Sequence, residues 1–161
     1  MNGKFVVGAI VLTALAAGAV VYYMQEYGPY TQVTFTPGSE ILLTALSGTA
    51  EAIPVRDVKG IDGTSSPLKF RACFVAEQSL ATLTEAYTVY EKPTPLIAPG
   101  WFDCFDADAI GEALESGEAV AFLSQADVVP NTNDVEIDRV VAVFPDGRAY
   151  AWNQLAPGTE K

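Results

Sequence analysis

Hydrophobic residues are spread unevenly along this chain. Phe5 to Met24 is an uninterrupted apolar run, and apart from two tyrosine hydroxyls its only polar side chain is Thr13. About 20 residues at 1.5 Å each make roughly 30 Å of helix, the thickness of a bilayer's hydrocarbon core. Lys4 precedes the run, and Gln25 and Glu26 follow it. The positive-inside rule then predicts a cytoplasmic N-terminus and an exported remainder. Two regions follow: an anchor over residues 1–26 and a periplasmic domain over residues 27–161. Tyr22, Tyr23, Tyr27 and Tyr30 cluster where the helix would leave the bilayer, a depth at which tyrosine is enriched. Ala17-Gly18-Ala19 has the small-x-small pattern of a cleavage site, so a cleaved signal peptide is the rival reading. The apolar run continues past it through Val20 and Val21 into the tyrosines, which favours a retained anchor. Ala9, Thr13 and Ala17, with Ala14 and Gly18 beside them, form a ridge of small residues that would admit a second membrane helix.

Beyond the run the pattern shortens. Strands are predicted over Gln32–Thr36 and Ile41–Ala45 around the Pro37-Gly38 turn, and over Ile53–Val58. Gly60 to Pro67 reads as loop from its Gly, Ser, Thr and Asp. Leu68–Ala76 is a stronger strand, with Leu68, Phe70, Ala72 and Phe74 on one face. Gln78–Ala86 reads as a short helix, and the three prolines of Lys92–Gly100 impose an extended loop. Ala107–Ser116 is the clearest helix of this region. Asp106 caps it, Asp108 meets the positive end of its dipole, and Gly117 stops it. Glu118–Leu123 reads as a strand, and Glu136–Phe144 with Arg148–Asn153 as a hairpin closed by Pro145-Asp146-Gly147. The fold class is α+β: one N-terminal transmembrane helix, then a mostly antiparallel sheet domain with one or two short helices.

Charge narrows the function. Beyond Lys4 the chain has eight Lys and Arg against twenty Asp and Glu, a net of −12. So acidic a surface excludes nucleic acid as a partner and suits a basic one, such as a basic periplasmic carrier. Mean hydropathy is nonetheless +0.22, because the apolar run outweighs the acidic remainder. Histidine is absent, which removes His-based triads, the commonest metal ligand and His-ligated haem.

The two cysteines, Cys73 and Cys104, lie in aromatic surroundings and should pair in an oxidising compartment. A redox pair is the functional alternative, but no C-x-x-C spacing supports it. Other candidates are weaker. Asp103, Asp106 and Asp108 lack a calcium-loop pattern. Asp57 and Asp62 could pair as acid and base in glycoside hydrolysis, but they flank a glycine that suggests a turn. Thr64, Ser65 and Ser66 would need Lys59 or Lys69 as base, at spacings that match no Ser-Lys motif. Trp101, Phe102, Tyr150 and Trp152 are candidate docking aromatics, with packing around the disulfide as the competing role for the first two. No motif calls for a catalytic residue, a metal or a cofactor.

Three segments carry a family resemblance: Ser65-Ser66-Pro67-Leu68-Lys69-Phe70-Arg71-Ala72-Cys73-Phe74, Ala98-Pro99-Gly100-Trp101-Phe102-Asp103-Cys104-Phe105-Asp106, and residues 138–152. With the apolar helix they are spread along the chain from Phe5 to Trp152. It resembles an uncharacterised alphaproteobacterial family of small single-pass proteins, some of them labelled histidine kinase. The resemblance implies an inner-membrane, periplasm-facing protein and brings no activity with it. A kinase label fails here, since the chain lacks a phosphoacceptor histidine and room for an ATP-binding domain. The expected role is a non-catalytic accessory subunit that joins integral subunits of an inner-membrane complex, a respiratory or photosynthetic one by first expectation. A transient assembly factor or scaffold and a cysteine-based redox sensor are the alternatives.

Overall fold

The computed structural model describes residues 2–130 and 135–159. Helix α1, Gly3–Glu26, is apolar on all sides and buries no residue, and its length and composition suffice to cross a bilayer. Thr13 Oγ1 donates to the Ala9 carbonyl one turn back (2.8 Å), so its hydroxyl is satisfied inside the helix.

A six-stranded antiparallel sheet follows, formed by β1 (Tyr30–Gln32), β4 (Val55–Gly63), β5 (Arg71–Ala76), β8 (Arg148–Leu155), β7 (Ile137–Val143) and β6 (Val120–Gln125), in that spatial order. Strands β2 (Leu42–Thr44) and β3 (Ala50–Ala52) form a separate hairpin. That hairpin and helix α2 (Leu80–Ala86) cover one face of the sheet. There Leu43, Leu83, Phe74, Phe122, Val141 and Val143 make an apolar core. Ser124 Oγ donates to the Leu42 carbonyl (2.6 Å) and ties the hairpin to β6. Helix α3 (Ala107–Ser116) and the proline-rich loop before it cover the second face, over Ile61, Cys73, Val140 and Trp152.

The predicted fold class is the observed one, and α3 forms as its caps dictate. Asp106 Oδ1 accepts from the amides of Asp108 and Ala109 (3.1 Å each), and Gly117 ends the helix at φ 74°. Elsewhere boundaries move. The first strand is Tyr30–Gln32, and it pairs with β4, so the Pro37-Gly38 turn closes no hairpin. Of the segment Gly60–Pro67 read as loop, the first part is instead the end of β4, which runs on through Gly63, and Thr64–Ser66 are irregular as expected. Gly60 lies inside the strand because the Phe35 ring occupies its side-chain space: a Cβ there would meet Phe35 Cζ at 2.6 Å. Strand β5 starts at Arg71, since Ser66 and Pro67 set a short 3-10 turn over Pro67–Lys69. Phe70, Ala72 and Phe74 do share the apolar face.

Candidate functional site

The loop 92–100 has no ladder of its own, so its backbone polar groups need other partners. Side chains of the sheet supply them. The Arg71 guanidinium is buried among backbone carbonyls. Nε donates to Leu96 (2.7 Å), Nη2 to Ile97 (3.1 Å), and Nη1 to Leu68 and Phe70 (2.7 and 2.6 Å). Burial pushes the Arg71 pKa down to about 10, and the neighbouring Tyr30 and Asp62 offset part of that. Gln154, also buried, accepts from the Thr94 amide (2.7 Å) and from Trp152 Nε1 (2.9 Å), and donates to the Lys92 carbonyl (3.0 Å). Downstream, Cys104 is disulfide-bonded to Cys73 on β5. A third buried tie joins Tyr90 to Asp138, hydroxyl to carboxylate, at 2.8 Å. Burial first and that carboxylate second push Tyr90 well above the ordinary tyrosine value.

Between Arg71's hold and the disulfide, the loop presents Trp101 to the end of α1. Trp101 Nε1 donates to the Glu26 carbonyl (2.6 Å), one of the acceptors that a helix end leaves unsatisfied. Its ring stacks on Tyr27 (centroids 6.0 Å, 12° between planes), and Tyr27 stacks on Tyr23 (5.9 Å, 14°). Tyr30 meets Trp101 edge-on at 6.1 Å, and Tyr22 meets Tyr27 at 6.3 Å. Four tyrosines and one tryptophan thus make a continuous aromatic joint between helix and domain. Aromatic pairs contribute about 0.5–1.5 kcal/mol each beyond burial, so a chain of them resists bending. Burial raises the Tyr30 pKa, with Arg71 opposing.

The four docking aromatics part company. Trp152 is 0% exposed and Phe102 is buried, so both serve chiefly as core residues. Trp101 is half-buried in the joint. Tyr150 is half-buried on β8, edge-on to Phe105 and Phe144, and lines a surface groove beside α3. The small ridge Ala9, Thr13, Ala14, Ala17 and Gly18 is exposed along its length.

The minor candidates take ordinary positions. Among the described residues, no three acidic or cysteine side chains gather to hold a metal. Asp57 sits at a bulge of β4 and pairs with Arg56 (2.8 Å). It lies five residues from Asp62 on the same strand. That is about 17 Å at roughly 3.3 Å per residue, beyond the roughly 5–10 Å of glycosidase carboxylate pairs. Of the hydroxyls, Ser65 Oγ does accept from Lys69 Nζ (2.8 Å). That ammonium also lies 5.1 Å over the Tyr30 ring.

Sequence reasoning missed Arg71, Gln154 and the Tyr90–Asp138 pair. A lone arginine inside Phe70-Arg71-Ala72-Cys73-Phe74 was the available signal, because a charge in an apolar strand must find partners.

Fold and site define a small α+β domain locked by aromatic stacking to an N-terminal apolar helix. The chain belongs to a family of unknown function (DUF6446), whose model matches residues 41–161. No curated protein and no solved structure matches it.

Proposed function

We propose that this chain is a membrane-anchored, non-catalytic accessory subunit of a larger membrane complex, with α1 retained as the anchor and the domain on the periplasmic side. The aromatic joint carries the reading. A domain held to its helix by stacking and by the Trp101–Glu26 hydrogen bond has a fixed place above the bilayer, which is what lasting subunit contacts require. Helix α1 also runs unbroken through the small residues Ala17–Ala19, and its last turns belong to the joint. An exposed apolar helix with a small-residue ridge leaves room for a membrane partner.

The test is purification of the tagged chain in mild detergent, with intact-mass measurement. The expected result is an uncleaved anchor and a fixed stoichiometry with integral membrane subunits. Recovery of the chain alone, under conditions that keep other membrane complexes whole, overturns the subunit role. Loss of residues 1–19 overturns the anchor.

A further inference from the structure

A groove of about 500 Å³ lies between α3 and the β7–β8 turn. Ala109, Ala113, Phe144 and Tyr150 give it an apolar floor, and the carboxylates of Asp106, Glu112 and Glu118 stand around it. Arg148, the cation that also lines it, is held by Asp146, Nε to Oδ2 at 2.6 Å, and its guanidinium lies 4.8 Å over the Phe144 ring. Residues 103–118 contain six carboxylates and no Lys or Arg. The groove lies away from the helix. Register places Arg71 opposite Trp152 near the joint and Val75 opposite Arg148 at the groove. Four residues of strand separate those levels, about 13 Å at roughly 3.3 Å per residue.

We infer that this groove docks a basic, partly apolar segment of a partner protein on the side remote from the bilayer. An apolar side chain would fill the floor over Tyr150, Ala109 and Ala113, and flanking Lys or Arg would meet Glu112 and Glu118. An acidic rim around an aromatic floor matches such a segment in both charge and shape, and exposed carboxylates steer it inward. The inference deepens the accessory-subunit reading by giving the domain its contact, and rests on it.

The test uses the full-length chain in nonionic detergent, labelled with ¹⁵N-tyrosine, and the peptide Ac-Lys-Leu-Lys-Leu-Lys-amide as probe. Tyr150 reports the groove, and Tyr87, buried beneath the opposite face, serves as control. The expected result is a saturable Tyr150 shift with Tyr87 unmoved. The Glu112→Lys/Glu118→Lys pair should weaken binding at least tenfold. The same charge change at Glu51→Lys/Glu85→Lys should alter it less than threefold. Equal weakening by the two pairs, equal shifts of Tyr87 and Tyr150, or no effect of the groove pair overturns the inference. Failure of the subunit reading shows separately, as purification without partners while the peptide still binds.

Discussion

The two faces of the central sheet are held by different means. On the first, α2 and the β2–β3 hairpin close over Leu43, Leu83, Phe122 and Val143, and area removed from water does most of the stabilising. On the second, a long loop lies beside α3 and is fixed by individual ties: Arg71 to the Leu96 and Ile97 carbonyls, Gln154 to the backbone at residues 92 and 94, and the disulfide. Apolar burial tolerates approximate fit, whereas a tie fixes one geometry. The second face bears both the Trp101 joint and the Tyr150 groove. Irregular backbone can present such side chains only when it is fixed.

The difference can be broken from either side. Phe122→Ala truncates the first face at a fully buried ring. It should cost about 3–5 kcal/mol in chemical denaturation, by the same amount with or without reductant. Removing the disulfide with Cys73→Ala/Cys104→Ala opens a link across 31 residues of sequence. The chain-entropy model puts that at about 3–4 kcal/mol. Hydrogen exchange should then quicken in the loop before α3 while β2 and α2 stay protected; uniform quickening would mean that the faces are not separable.

Arg71→Leu keeps apolar bulk but leaves four carbonyls without their donor. The expected cost is about 2–3 kcal/mol, again with faster exchange confined to the loop. Tyr90→Phe strips the buried Asp138 carboxylate of one donor, for about 1–2 kcal/mol at neutral pH. In the wild type, Tyr90 holds its proton above the ordinary value of 10.0. Its contribution is therefore whole below pH 10 and is lost as pH rises through the higher folded-state value. Stability curves of wild type and Tyr90→Phe should converge above pH 10; parallel curves there would contradict the assignment.

Regularly patterned segments were legible in the sequence. Helix α3 showed its Asp106 cap and Gly117 stop, and the β7–β8 hairpin showed its Pro-Asp-Gly turn. Both signals are local. Strand β4 was not legible beyond Val58, because glycine usually marks turns. Gly60 is there for the Phe35 ring, a contact made 25 residues away along the chain. Residue type named the aromatics of the candidate site but not their exposure. Trp101 and Trp152 read alike, yet one joins helix to domain and the other lies in the core. That outcome depends on how β8 registers with β5, which no local pattern encodes.

The joint itself is best tested by electron–electron distance measurement. Spin labels would be placed at Gln25→Cys in the helix and Glu85→Cys in the domain, with the native disulfide intact and the chain in bilayer nanodiscs. The expected result is one narrow distance distribution that broadens on Trp101→Ala, while the domain's unfolding midpoint barely moves. A broad distribution in the wild type, or one unchanged by Trp101→Ala, would show that stacking on Trp101 does not fix the domain to the helix.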